Sequence, residues 1–268
     1  MSIQGDGQRS VHFPKSDSFE FDGEVASIFP DMAVRSIPLY REMHSLHARI
    51  LVDDFRRWLQ LGDGKYPYVV LDIGASRCHF YEEIKKWCSH ENLPIDRIQY
   101  IAYDRSDGML EETKRRNPEI LYYKYDLADS SPAADFYFPM RADAVAMHYV
   151  MQFVNPTKRP FAFAKLGAVL RRRGLLFYSE KEKLGTDLDD TVTHIATEVS
   201  KAYYDFRRSN GYTNQEIAAK TAALKNSMWP VPAEETKSYL RSAGFVDFVP
   251  TCRMGEFHSF VAVKQQDF

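Results

Sequence analysis

Apolar residues recur along this chain in two periods that take turns. Tyr68-Val-Val-Leu-Asp-Ile73 is a short, nearly continuous apolar run, the composition of a strand covered on both faces of a parallel sheet. Asp72 and Gly74 mark its end. A glycine there lets the chain turn sharply and lets backbone approach a ligand closely. From residue 77 to 90 the period lengthens, and Phe80, Ile84, Trp87 and Cys88 share one helical face. The exchange then repeats. Residues 98–103 closing at Asp104, 120–125 closing at Asp126, 143–148 closing at His148 and 174–179 closing at Glu180 read as strands, with helices over 106–116 and 158–171 between them. Strand and helix alternating through short loops predict a parallel α/β sheet. Ligands of open α/β sheets bind outside the carboxyl ends of the strands, so the three carboxylates and His148 are expected to converge on one edge.

The flanks follow the helical period. Residues 1–18 show none and read as a flexible tail. Val25, Ile28 and Phe29 form a short apolar face that ends at Pro30; a second helix starts at Asp31 and breaks or restarts at Pro38. A third, over 40–61, carries Met43, Leu46, His47, Ile50, Leu51 and Phe55 on one stripe, where His47 reads as a packed residue rather than a ligand. Gly62-Asp-Gly64 ends it. After the fifth strand, 184–228 interrupts the sheet pattern with helix: Ile195, Val199 and Ala202 share a face, Asn210-Gly211 turns, and 216–227 is helical again. A helix over 232–244 with a glycine stop and strands over 245–250 and 255–264 close the chain as an edge hairpin. The organisation expected is a tail (1–18), a helical lid (19–61) and an α/β domain (62–268) with a helical insertion at 184–228.

Composition changes this picture little. The chain has 268 residues, 44% hydrophobic and 27% charged, with a formal charge of -2, ordinary for a globular protein. That balance argues against direct nucleic-acid binding through a large basic surface. No apolar run reaches the roughly 18 residues of a membrane helix, and the polar N-terminus lacks a signal-peptide core. Cys78, Cys88 and Cys252 have no metal-ligand spacing, so a cytoplasmic location without a metal is expected.

Candidate chemistry sits at the strand ends. Asp104 can accept both ribose hydroxyls of an adenosine; alternatively it belongs to the cap of the next helix, with Ser106 and Asp107. Asp126-Leu127 can face an adenine amino group. The Gly74 turn lacks GxGxxG, so a nucleoside without phosphates fits better than a dinucleotide. Tyr40, Tyr149 and the pairs Tyr122-Tyr123 and Tyr203-Tyr204 supply aromatic faces that attract a cation such as a sulfonium. Arg171-Arg-Arg173 is expected at a helix C-terminus, where it complements the dipole.

Several stretches, in order, carry a resemblance: Val25-Ala-Ser-Ile-Phe-Pro-Asp-Met32 with Arg35-Ser36, Gln152-Phe153 with Pro156, Ser179-Glu-Lys181, Asp205-Phe-Arg-Arg-Ser-Asn-Gly-Tyr212 and Ala243-Gly-Phe245. With the sheet pattern they make the chain resemble class I S-adenosylmethionine-dependent methyltransferases, and more narrowly the bacterial carboxy-S-adenosylmethionine synthases, from about residue 19 to 264. The resemblance implies a Rossmann-like fold with a seven-stranded sheet, an antiparallel closing strand and a helical lid, and a homodimer. It implies S-adenosylmethionine bound by Tyr40, Gly74, Ala75, Ser76, Asp104, Arg105, Asp126 and Leu127. Among its departures, three positions stand out. His148 stands where the family has an asparagine that contacts the ligand, Cys78 where it has glycine, and Thr221 where it has the arginine that grips the extra carboxylate. Thr cannot replace that charge; Lys220 and Lys225 are near, and Lys225 is one turn along the same face.

Four functions are compatible with this reading. The first is transfer of a group from S-adenosylmethionine to a small molecule, with His148 as general base or as a hydrogen-bond partner of the cofactor. The second needs no partner beyond S-adenosylmethionine: cyclisation to azetidine-2-carboxylate and methylthioadenosine under an aromatic lid, with Tyr203 and Tyr204 standing where the family has a His pair. The third is retained carboxy-S-adenosylmethionine synthesis, against which Thr221 argues. The fourth is a non-catalytic binding module.

Overall fold

The computed structural model describes residues 23–62, 65–129, 141–184 and 189–265; the expected tail and Gly64 lie outside them. Two helices open the described chain, α1 (Gly23–Ser36) and α2 (Tyr40–Leu61). Then strand and helix alternate: β1 (Tyr68–Ile73), α3 (His79–His90), β2 (Ile98–Asp104), α4 (Asp107–Arg116), β3 (Leu121–Lys124), β4 (Ala142–His148), α5 (Arg159–Val169) and β5 (Leu170–Lys181). Helices α6 (Asp190–Ser209), α7 (Asn214–Leu224) and α8 (Ala233–Ser242) precede the closing strands β6 (Phe245–Met254) and β7 (Phe257–Lys264).

The seven strands lie in the order β3-β2-β1-β4-β5-β7-β6. The first five are parallel; β7 runs antiparallel to both β5 and β6. The order reverses between β1 and β4, and that switch point opens a crevice at the strands' carboxyl ends. Strand periodicity sorts the core into two layers. Val69, Leu71 and Ile73 of β1 face a cluster with Phe163 and Leu166 of α5 and Leu240 of α8. Tyr68 and Val70 face the opposite cluster with Leu51 and Phe55 of α2 and Phe80 and Ile84 of α3. All six residues of β1 are buried, so truncating a central one such as Leu71 to Ala costs about 2–5 kcal/mol.

Three expectations are corrected. Pro30 lies inside one continuous α1 rather than ending a helix. Phe29, Met32, Ala33 and Ser36 repeat at helical spacing across it, and burial of Met32, Ala33 and Ser36 holds the two halves to one face despite the lost amide donor. Second, α5 stops at Val169, and Arg171-Arg-Arg173 belongs to the start of β5 rather than to a helix end. Leu170 is fully buried and registers with Ala142, while Arg171 pairs with the mostly buried Asp143 of β4. Third, the outward part of α6 is not a packed face: Ile195 is 55% exposed. No helix among the described residues is long and apolar enough to cross a membrane.

Candidate active site

A cavity lies over the carboxyl ends of β1, β2, β4 and β5 and is roofed by α1, α2, α6 and α7. The Gly74 turn forms its floor. Gly74 has φ of +68°, a conformation that favours glycine, and a Cβ there would meet Val150 Cγ2 at 2.3 Å. Ser76 and Cys78 continue the turn with φ of 49° and 55°. Cys78 thus keeps a left-handed conformation in which glycine is the unstrained residue, and it is fully buried.

Asp104 is fixed by backbone on two sides. Its carboxylate accepts from the amides of Ser76 and Ser106, each at 2.9 Å, which ties the β1 turn to the start of α4. Ser106, not Asp104, caps α4, accepting from the Met109 amide at 3.2 Å. Burial raises the Asp104 pKa and the backbone amides oppose it. The fixed carboxylate lines the cavity beside Arg105, and an oxygen with one amide donor retains a second lone pair. Asp126 and Leu127 line the cavity one strand away, after β3; Asp126 holds its own turn through the Ala128 amide at 2.8 Å. Asp126, Asp104 and Gly74 thus follow the adjacent strands β3, β2 and β1 and line one cavity. An S-adenosyl nucleoside fits these residues.

Aromatic and imidazole rings wall the other half. Tyr40 stacks on Tyr149 with centroids 6.0 Å apart, and its hydroxyl lies 3.0 Å from His79 Nδ1. His44 Nδ1 donates to the Tyr40 carbonyl at 2.8 Å. His148 Nε2 lies 3.0 Å from His47 Nδ1, and His47 Nε2 lies 2.7 Å from Thr251 Oγ1. Burial pushes His44 and His47 down to about 3, and burial with those two neighbours holds His148 well below the ordinary imidazole range. These rings are neutral at pH 7. Asp72, beneath Gly74, is pushed up to about 7 by burial although it accepts from the Tyr100 hydroxyl at 2.5 Å.

Of the residues expected at the site, Tyr40, Gly74, Ala75, Ser76, Asp104, Arg105, Asp126, Leu127, His148 and Tyr203 line one cavity. Tyr204 and Thr221 do not. Thr221 is exposed and its hydroxyl donates to the Ile217 carbonyl of its own helix at 2.8 Å. Its neighbour Lys220, rather than Lys225, turns inward with Ile217 and Leu224. Tyr122 and Tyr123 also stay outside the cavity. Glu180 departs from the expected convergence. It is fully buried against Arg159, at 3.6 Å, and accepts from Tyr178 and from Thr236. Burial raises it to about 7, and its role is to hold β5 to α5 and α8. Lys181, the next residue, faces the cavity instead. His44, His79, Gln152 and Lys181 are further cavity residues that the sequence reading does not single out as site residues. Among the described residues no group of three or more His, Cys, Asp or Glu could hold a metal ion.

The fold and this edge define a class: the Rossmann-like architecture of the S-adenosylmethionine-dependent methyltransferases. The structure superposes on an O-methyltransferase family protein from Burkholderia thailandensis with TM-score 0.58 at 12% identity, over 92% of this chain and 61% of that one. It superposes on human N-acetylserotonin methyltransferase with TM-score 0.52 at 14% identity, over 91% and 56%; the chain spans little more than half of either. Within that class, carboxy-S-adenosyl-L-methionine synthase from Desulfotalea psychrophila is 30% identical over 255 residues, covering 94% of each chain. The synthase from Nautilia profundicola is 30% identical over 262 residues, covering 94% of this chain and 97% of its own. The chain belongs to the carboxy-S-adenosyl-L-methionine synthase family and, as a member, is an enzyme that uses S-adenosylmethionine. No family model matches it.

Proposed function

We propose that the enzyme transfers a group between S-adenosylmethionine and a small molecule held in the same cavity. One observation supports this above the others: the lid residues Phe29, Met32, Tyr40, Tyr203 and Leu224 wall the same cavity as Gly74 and Asp104. A roof of that kind suits a small partner and keeps water from the reacting atoms. S-adenosylmethionine, when bound, supplies an already activated carbon on sulfur. The chain's part is to hold and align. Asp104 and Asp126 would anchor the adenosine, and the stacked rings of Tyr40 and Tyr149 would face the sulfonium, each contributing about 0.5–2 kcal/mol. Alignment of a nucleophile then supplies much of the rate. In this reading His148 orients the ligand by hydrogen bonding, since a neutral imidazole held far below its ordinary pKa is a poor base at pH 7.

Carboxy-S-adenosylmethionine synthesis is the second reading, favoured by relatives of that name matching almost end to end and opposed by Thr221, exposed where the arginine is expected. A homodimer belongs with either reading, and exposed Val192 and Ile195 on α6 are residues it would cover. Mass spectrometry after incubation separates the reactions. S-adenosylhomocysteine formed only when a small acceptor is added supports the first. A carboxyl gain on the nucleoside with prephenate present establishes the second. Methylthioadenosine and a cyclic amino acid from S-adenosylmethionine alone would overturn both in favour of cyclisation.

A further inference from the structure

Three imidazoles meet at the end of β4, brought together from two elements far apart in sequence. His148 closes the strand and lines the cavity. The chain turns left-handed immediately after it. Tyr149 has φ of +61°, uncommon for an aromatic residue, and its amide donates to the Ser179 carbonyl at 2.7 Å. The His148 ring is aimed by that turn, and Phe80 packs edge-on against it with centroids 4.9 Å apart. His148 Nε2 lies 3.0 Å from His47 Nδ1, and His47 Nε2 lies 2.7 Å from Thr251 Oγ1. His47 is fully buried, with the Phe177 ring at 5.4 Å, and both of its nitrogens are engaged. Thr251, half-buried on β6, does not line the cavity. An unbroken chain of polar atoms therefore runs from the edge hairpin to a ring inside the site.

A neutral imidazole has one donor and one acceptor nitrogen. Burial holds His44, His47 and His148 neutral at pH 7, well below the ordinary imidazole range. The two hydrogen bonds of His47 must therefore run in one sense. In one arrangement the Thr251 hydroxyl donates to His47 Nε2, His47 Nδ1 donates to His148 Nε2, and His148 carries its proton on Nδ1. In the other every bond is reversed and Nδ1 of His148 is a lone pair. His44 decides between them. Its Nδ1 donates to the Tyr40 carbonyl at 2.8 Å, so its Nε2 is a lone pair. Its ring lies 4.6 Å from that of His148 and lines the same cavity. The reversed chain would set two lone pairs on adjoining rings and leave the Thr251 hydrogen without a partner among the described residues. The first chain spends that hydrogen and offers the cavity one donor beside one acceptor. We propose that His47 and Thr251 are positioning residues that fix His148 as a hydrogen-bond donor, through Nδ1, toward an acceptor atom of the S-adenosyl ligand. The proposal rests on reading the cavity as the cofactor site, and it adds what sets the ring that orients the ligand there.

The test reads tautomer and affinity on the same samples. Full-length protein with isotope-labelled histidine is followed by long-range proton–nitrogen NMR correlation at neutral pH, and S-adenosylhomocysteine binding is measured by calorimetry. Single tautomers protonated on Nδ1 are expected for His47 and His148; Nε2–H on His148 would overturn the donor assignment. Thr251→Val keeps the side chain's shape and removes the hydroxyl. His148 should then show mixed tautomers, and S-adenosylhomocysteine affinity should fall about three- to tenfold, the worth of one directed hydrogen bond. Thr251→Ser should restore the tautomer and bring the affinity within about twofold of wild type. In a His148→Ala background Thr251→Val should cost no further affinity, because the coupled partner is gone. A loss that serine does not rescue, or one that persists in the His148→Ala background, would make Thr251 a packing residue and overturn the proposal. Unchanged tautomers and affinity in Thr251→Val would overturn it equally. Wild-type protein that shows both expected tautomers yet does not bind S-adenosylhomocysteine would uphold the setting of the ring by His47 and Thr251 and sink the reading of the cavity as a cofactor site.

Discussion

The two halves of this cavity are built in opposite ways. On the β3-β2-β1 side the charged groups are anchored locally: Asp104 accepts two backbone amides and Asp126 holds its own turn. On the β4-β5 side they are assembled from distant elements. His47 of α2 meets His148 of β4, and Ser36 of α1 meets Lys220 of α7. The first half is pre-organised and nearly complete in itself. The second depends on the lid being seated, because its contacts join α2 to β4 and α1 to α7. The contrast lets the two halves be perturbed separately.

The largest effect expected falls on the local half. Asp104→Ala removes the acceptor of the Ser76 and Ser106 amides and the predicted ribose contact, and S-adenosylhomocysteine affinity should fall about 100-fold, near 3 kcal/mol. Calorimetry on Asp104→Ala and on Asp104→Asn, which keeps one acceptor oxygen, checks it. Wild-type affinity in both would remove Asp104 from the site. Next in size is Gly74→Ala. A φ of +68° and a Cβ 2.3 Å from Val150 Cγ2 combine backbone strain with overpacking, together roughly 2–4 kcal/mol of lost stability in urea unfolding. Val150→Ala should restore part of that in the double variant, leaving the strain alone; strict additivity would break the assigned clash.

The same division governs what was legible in the sequence. The strands, their order of appearance and the acid-ended β2 and β3 could be read because each depends on neighbours within a few residues. Glu180 misleads because a carboxylate at a strand end looks the same whether it faces ligand or core. Alternation resolves it: Leu176, Tyr178 and Glu180 share a face with the α5–α8 core, so Lys181 takes the other. Lys220 carried a signal too, a lysine in the stripe with Ile217 and Leu224, five residues before Lys225, the position one turn from Thr221. Its helix runs Asn214–Leu224 rather than 216–227, and its inward face is set by docking against α1. The His44–His148–His47 contacts had no local signal at all, since they join α2 to β4.

Those histidines give a third, smaller prediction. His44 and His47 are held near 3 in the folded protein, against an ordinary value near 6.5. The unfolded chain therefore binds more protons between these values, so the stability tied to the neutral rings is full above about pH 6.5 and is lost as pH falls toward 3. Between pH 6.5 and 5 the loss should be at most about 2 kcal/mol for each ring. Denaturant unfolding of His47→Gln should show a shallower acid limb than wild type. An unchanged slope would mean that His47 is not the neutral buried partner that the contacts with His148 and Thr251 make it.

The smallest effect is the sharpest test of the boundary between halves. Tyr203 lines the cavity, packs 5.2 Å from Phe257 and carries Lys181 over its face; Tyr204, adjacent in sequence, does not line it. Tyr203→Leu removes one cation–aromatic contact, about 0.5–2 kcal/mol, and loosens the Lys181 side of the cavity. Turnover should fall roughly 3- to 30-fold while nucleoside affinity changes little. Tyr204→Leu should leave both within about twofold, because a half-exposed ring outside the cavity has little to lose. Equal losses from the two substitutions would mean that α6 acts on the site as a whole rather than through one ring. A loss confined to Tyr204 would mean that the helix presents its other face, to a second copy of the chain or to a lid closed more tightly than this one.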